Sequence, residues 1–383
     1  MPAKSIKIAN FAHIKEINIS FGDLTVIVGP QASGKSLAMQ WVKLLADRNA
    51  VCSDLKKYGY YFEKNSEFYS LYFGEGYERS VTEDVNIIFN GEDASPLALP
   101  EKKVFAKKHK IRVIPAHRGL LMVDGWPKLF QQHAMDTPYV ARRSSEDLYN
   151  QLTSMNTSET DVIFPRQNRL KSSVREIINQ AVYHDSTLNL SKHSQRKRLE
   201  LKIPDGSGIP FMNWTAGQRE FTPLLLSLYD LMPAGKVKKH EDICTIIIEE
   251  PEMGLHSKAI ESFLVLIVEL IHRGYKVILT THSSIFLDFA WGISQLKLSC
   301  ATSADYCNAL RIPIAMQDCI DTLKKSKIKI YNFDFGSDGR VKSHDITSLD
   351  PFAVSTHENT WGGLASYTKN IGDALYKINN RCE

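Results

Sequence analysis

Eight residues near the start of the chain, Gly29-Pro30-Gln31-Ala32-Ser33-Gly34-Lys35-Ser36, fit the pattern G-x-x-x-x-G-K-[ST] and constrain the fold more than any other stretch of the 383 residues. The run Leu24-Thr25-Val26-Ile27-Val28 before them is short, apolar and β-branched, which predicts a buried central strand. Residues 37–47 after them carry Leu37, Met39, Trp41, Val42, Leu44 and Leu45, which suit a largely buried helix. Strand, glycine-rich loop and helix in that order give the pattern a mechanism. The glycines let successive backbone N–H groups face a β-phosphate, and the helix N-terminus adds partial positive charge. Lys35 supplies a point charge to the β- and γ-phosphates, and Ser36 a hydroxyl to Mg²⁺. Residues 29–36 with Leu37 are the candidate ATP-binding segment, Lys35 being also a catalytic candidate and Ser36 a metal ligand.

Further along, Cys244-Thr245-Ile246-Ile247-Ile248-Glu249-Glu250 is an apolar strand that ends in two acids. Strand alternation points Glu249 and Glu250 to opposite sides, so they are expected to do different work. Glu249 is assigned to Mg²⁺, directly or through water, and Glu250 to polarising the nucleophilic water. One helix-plus-strand unit later, Thr280-Thr281-His282-Ser283 ends the next strand. Adjacent parallel strands bring their carboxyl ends to one edge, so His282 is expected beside the γ-phosphate as a catalytic switch. Asn213-Trp214-Thr215-Ala216-Gly217-Gln218 precedes a helix and offers a hydroxyl, small residues and exposed N–H groups to an anion; an N-cap explains the same residues.

Between these motifs the pattern changes. Residues 5–9 and 14–20 alternate as strands, and residues 58–95, rich in Tyr and Phe, read as two or three antiparallel strands. Residues 111–114 form another strand ending at Pro115. Residues 120–182 read as mostly helical and polar, with Ser/Thr-rich interruptions. From 213 onward the rhythm is α/β: helix 218–231, strand 244–248, helix 257–273, strand 276–280, helix 285–291, then a hairpin of 328–333 and 340–345.

Composition narrows the class. The six cysteines are scattered with no C-x-x-C pair, so neither a zinc knuckle nor a disulfide framework is indicated, and a reducing cytoplasm is expected. The most apolar window, residues 263–271, is too short to span a bilayer and contains Glu269, so no membrane association is expected. Net charge is +4 overall, yet residues 101–212 hold 19 Lys+Arg against 11 Asp+Glu. Within them Lys102, Lys103, Lys107, Lys108 and Lys110, and then Lys192, Arg196, Lys197 and Arg198, are dense enough to contact a nucleic acid, although a solvated surface carries the same charge.

Taken together, these segments resemble the ATP-binding-cassette (ABC) ATPases, in the soluble branch that includes SMC, RecF and OLD-type proteins. Trp214-Thr215-Ala216-Gly217-Gln218 is similar to that family's L-S-G-G-Q signature, with Thr215 and Ala216 in place of Ser and Gly. Glu249-Glu250-Pro251-Glu252-Met253-Gly254-Leu255-His256 is close to the E-E-P-E-x-x-L-H run of OLD-like members, and Ile114-Pro115-Ala116-His117-Arg118 resembles an I-P-A-E-R segment of the same branch. The resemblance implies an α/β fold: a P-loop ABC-ATPase head with an antiparallel β subdomain and a mostly helical insertion. Residues 1–120 and 206–345 would form the head, 121–205 a helical, basic insertion and 346–383 a tail. It also implies an ATPase using ATP and Mg²⁺ in which two copies sandwich two ATP molecules, Thr215, Gly217 and Gln218 of each facing the other's γ-phosphate. The sequence contains no TOPRIM-type D-x-D motif, which favours an anti-phage defence module whose nuclease or toxin is a separate partner. A RecF-like DNA-repair ATPase is the alternative, and a transporter subunit fits less well, given the long interval between Ser36 and Thr215.

Overall fold

The computed structural model describes residues 2–94, 108–155, 161–166, 169–193, 196–233, 239–368 and 370–372. Strands β1 (Ser5–Phe11), β2 (Ile14–Ser20) and β3 (Leu24–Val28) lead through the glycine-rich loop into helix α1 (Lys35–Lys57). Helix α2 (Asn65–Phe73), β4 (Asn86–Phe89), β5 (Glu92–Asp93) and β6 (Ile111–Ile114) follow. The next segment holds β7 (Met122–Val123), β8 (Trp126–Pro127), α3 (Tyr139–Ser154), β9 (Asp161–Phe164), α4 (Ser172–Ile178), β10 (Thr187–His193), β11 (Arg196–Lys202) and β12 (Gly208–Pro210). The chain then runs through α5 (Ala216–Leu231), β13 (Thr245–Glu249), α6 (Ser257–His272), β14 (Lys276–Thr280), α7 (Ser284–Leu298), α8 (Ser303–Ala309) and α9 (Gln317–Lys325). It closes with β15 (Ile328–Phe335), β16 (Val341–Asp345) and α10 (Thr356–Asn359).

Ten strands form one sheet in the order β5-β4-β1-β2-β16-β15-β3-β14-β13-β6. From β15 to β6 every neighbour is parallel, while β5, β4, β1 and β2 pair antiparallel. Strands β3 and β13 are buried at every residue because helices cover both faces. Period-2 alternation divides the core accordingly. Val26, Ile246, Ile248 and Leu279 join α5, α6 and α7 on one face, and Ile27, Ile247 and Ile278 join α1 and α2 on the other. Among the described residues no helix is long and apolar enough to cross a membrane.

Two sequence readings need correction. Residues 58–95 are not strands throughout, because 65–73 form α2. Phe68 and Tyr72 are one helical turn apart, and Tyr69 and Phe73 close on Trp41 of α1 with ring centroids 5.6 and 5.0 Å away, so tertiary packing overrides the strand propensity of the aromatics. Nor is the segment 121–205 mostly helical. Alongside α3 and α4, strands β9, β10 and β11 pair with β12 as a four-stranded antiparallel sheet. Leu188 and Leu190 of β10 face the core with Leu199 and Leu201 of β11, and the basic cluster therefore rides on a hairpin rather than a helix. Of the other cluster, Lys102, Lys103 and Lys107 lie outside the described residues, and Lys108 pairs with Asp242 at 3.0 Å.

A buried charge network fixes the far end of α1. Asp54 receives the Tyr139 hydroxyl at 2.6 Å and Arg143 Nη1 at 2.8 Å, and His109 Nε2 lies 2.9 Å away. Two turns nearer the loop, Asp47 pairs with Lys43 at 2.7 Å and accepts the backbone N–H of Lys110 and of Ile111, which ties α1 to β6. Burial pushes the Asp54 carboxyl up, but His109, Arg143 and Tyr139 outweigh it and hold the group at about 2. A carboxylate depressed on folding stabilises the fold above its ordinary pKa, and the stabilisation fades as pH falls through the folded value. Asp54→Ala is therefore expected to cost about 2 kcal/mol at neutral pH, because the hydroxyl of buried Tyr139 loses its acceptor and half-buried Arg143 keeps only Asp147. In thermal melts the gap between variant and wild type should narrow between about pH 4 and pH 2; a gap constant across that range would remove the carboxylate from the account.

Candidate active site

The register of the central strands sets the functional segments side by side. Ile27 of β3 pairs with Thr280 of β14, and Thr280 with Glu249 of β13. Ile248 pairs with Ile114 of β6. These strands are parallel, so residues 29–36, 281–283, 250–256 and 115–118 all emerge at one edge, where open α/β sheets bind ligands.

At that edge the glycine-rich loop is a close-fitting cradle. A Cβ on Gly29 would lie 2.3 Å from the Phe333 carbonyl oxygen, and Gly34 adopts φ +80 with His13 Nε2 2.9 Å from where its Cβ would be. Lys35 folds back over the loop and donates to the carbonyl oxygens of Gly29 and Pro30, both at 2.8 Å, with Ser33 Oγ at 3.4 Å. Burial lowers its pKa to about 8, against the pull of Glu250, Glu252 and Glu249. Pro30, Gln31, Ala32 and Ser36 are exposed, and Leu37 anchors the first turn of α1 in the core.

Glu249 and Glu250 diverge as alternation predicts. Glu249 is buried, and desolvation raises its pKa to about 7 against the opposing pull of the nearby Ser36 hydroxyl and Ala116 N–H. Among the described residues its Oε1 is buried with no partner. An unsatisfied carboxylate oxygen beside a serine hydroxyl is a donor set that fits Mg²⁺. Glu250 leaves the strand with φ +42, its N–H donating to the Thr280 carbonyl at 2.8 Å. Its Oε1 lies 3.5 Å from His282 Nε2, and both side chains are about one-third exposed.

Two contributors have roles that the sequence does not reveal. Glu252 Oε1 accepts the Thr281 hydroxyl at 2.7 Å and the His282 N–H at 2.6 Å, so it fixes the backbone that carries His282. Arg118, 1% exposed, donates to the carbonyl oxygens of Pro115 (3.2 Å), Glu249 (2.9 Å), Glu250 (3.2 Å) and Glu220 of α5 (3.0 Å). It joins the end of β13 to the helix that begins just after Thr215, as a positioning residue. Arg118→Met strands these carbonyls and is expected to cost about 3 kcal/mol or more. Melts of Arg118→Met and Arg118→Lys should both fall below wild type, since lysine cannot reproduce the planar fork; a full rescue by lysine would reduce Arg118 to a point charge.

The remaining candidates sit elsewhere. Thr215 is the N-cap of α5: its Oγ1 accepts the Gln218 N–H at 3.2 Å, and Gln218 Oε1 accepts the Thr215 N–H at 3.1 Å. A Cβ on Gly217 would approach the Gly254 carbonyl oxygen to 2.8 Å. Thr215, Gly217 and Gln218 line a shallow pocket with Gly254, Leu255 and His256, and none of residues 29–36 takes part in its lining. They form a separate, outward-facing surface.

Comparison with known proteins finds similarity to one family model and to solved structures. Residues 123–288 match a family described as AAA domain, putative AbiEii toxin, Type IV TA system. No curated protein sequence matches the chain. Among solved structures, the SMC head domain from Thermotoga maritima is 11% identical, with 90% of this chain and 99% of that one covered and a TM-score of 0.37. The Smc head domain from Pyrococcus furiosus bound to the C-terminal domain of ScpA is 11% identical, covering 90% and 96%, at 0.38. A dimeric bacterial ABC transporter cassette is 12% identical, covering 73% and 88%, at 0.34. With the glycine-rich loop, the acid-tipped strand and the histidine-tipped strand aligned at one sheet edge, the chain has an α/β P-loop fold.

Proposed function

We propose that the chain binds ATP with Mg²⁺, hydrolyses it, and dimerises around it, using the cycle to control a separate effector protein. The observation that carries this reading is the alignment of Ile27, Thr280 and Glu249 across three parallel strands, which supports Lys35, Ser36, Glu249, Glu250 and His282 acting on one nucleotide. Ser36 and Glu249 would hold Mg²⁺, which when bound neutralises charge on the phosphate oxygens. Lys35 would exchange its loop carbonyls for the β- and γ-phosphates. Glu250 would accept a proton from the attacking water, with His282 beside it to contact the γ-phosphate. The exposed face of Thr215, Gly217 and Gln218 is free to meet the nucleotide of a second copy.

The description of the matched family names a putative AbiEii toxin of a Type IV TA system, which links the reading to toxin systems without naming a separate effector. A nuclease or toxin under such control suits anti-phage defence; a RecF-like repair role is the alternative. The test is Mg²⁺-dependent phosphate release by the purified chain together with its mass in light scattering. ATP-dependent doubling of mass is expected, and full hydrolysis by a strict monomer would overturn the dimer.

A further inference from the structure

A groove of about 980 Å³ lies between the β7–β8 hairpin, β11 and the corner at 210–212, and it shares no lining residue with the nucleotide site. Lys128, Arg196, Lys197 and Arg198 border it, and none of the four forms an ion pair among the described residues. Among the described residues, Arg198 Nε is buried without a hydrogen-bond partner. Among the described residues Asp124 is the one carboxylate in the lining.

The walls are preformed. The Leu199 N–H donates to the Gly125 carbonyl at 2.9 Å, pinning the hairpin turn to β11, and the Lys128 N–H closes on the Leu121 carbonyl at 2.9 Å. Beside the cations the groove offers aliphatic surface: Met212 is 60% and Val123 51% exposed. Its aromatic rings offer little open face, half-buried Trp126 being the more exposed of the two. Phe211 is buried and packs edge-on against Trp214, and Trp126 stands edge-on to Tyr149. Single-stranded nucleic acid needs open aromatic faces, whereas cations beside exposed aliphatic side chains complement a chain of alternating acidic and apolar residues.

We propose that this groove docks an acidic, apolar-studded segment of a partner protein. The proposal rests on the ATPase reading for its consequence. Both flanks lead to the nucleotide machinery: the segment entering β7 begins at Arg118, which holds the Glu249 and Glu250 carbonyls, and the Phe211–Asn213 turn runs directly into Trp214 and Thr215. An occupant would therefore bear on the two strands of chain that set the hydrolytic edge and the dimer face.

The test uses a short fluorescein-labelled peptide of alternating Asp, Glu, Leu and Phe, its counterpart with Lys at the acidic positions, a single-stranded oligonucleotide and a duplex, each read by anisotropy without nucleotide. The acidic peptide is expected to bind the wild-type chain, and Arg198→Glu and Met212→Asp should each weaken it about tenfold. Arg198 has a buried atom and its replacement can unfold the hairpin; Met212 is exposed, so Met212→Asp keeps the test decisive. No acidic-peptide binding, or binding indifferent to both changes, overturns the proposal. So does an oligonucleotide that binds in preference and is lost in Arg198→Glu but not in Met212→Asp, which would make this a nucleic-acid surface. Because Lys35→Ala should retain peptide binding while losing ATP, failure of the groove and failure of the ATPase reading are separable.

Discussion

Replacing Glu250 by glutamine is expected to leave a protein that binds ATP and Mg²⁺ but releases phosphate at least about 100-fold more slowly than wild type, the scale of losing a positioned general base. Glu250 differs from Glu249 by its place at the strand end. Its backbone N–H is tied to Thr280 and its carbonyl to Arg118, while its side chain is left one-third exposed beside His282. Glutamine keeps the shape and the hydrogen-bonding reach but cannot take a proton. Lys35→Ala should behave differently. Its ammonium already lies folded over Gly29 and Pro30, and without it the phosphates meet backbone dipoles alone, so binding itself is lost. Steady-state phosphate release and equilibrium binding of a labelled nucleotide separate the two variants. Wild-type turnover in Glu250→Gln would move the base to another residue.

The motifs are legible in the sequence because their chemistry is local. A buried parallel strand must be a short apolar run, and the residues just beyond its carboxyl end lie at the ligand edge, so strands 24–28, 111–114 and 276–280 can be read to the residue. Elements whose identity depends on a distant partner cannot. The aromatics of α2 look like strand residues until Trp41 is placed against them. The β10–β11 hairpin carries alternating leucines, but the charge density around them suggests a solvated helix. Arg118 stands out by its setting, yet its acceptors are backbone carbonyls as far as 132 residues away, and a carbonyl leaves no mark in a sequence. Glu252 is similar: its partners, Thr281 and the His282 N–H, come from the neighbouring strand, and only the strand register brings them within reach.

Mixing two inactive variants should restore activity, and this result depends on the second copy. In a mixed dimer of Lys35→Ala and Gly217→Asp, one site pairs both defects. The other combines the intact glycine-rich loop of the Gly217→Asp copy with the intact Thr215–Gly217 face of the Lys35→Ala copy. Random two-fold assembly at equal amounts yields mixed dimers in half the population with one good site of two, so about a quarter of wild-type activity per protomer is the ceiling. Gly217 suits the experiment because its Cα faces the Gly254 carbonyl, and any side chain there displaces the Gly254–His256 loop together with the signature turn. Such a displacement could also weaken the fold. Complementation answers that objection, since an unfolded copy would contribute no glycine-rich loop. Recovery would place one copy's Thr215 face over the other's ATP, and mixtures no more active than either variant alone would confine hydrolysis to a single chain.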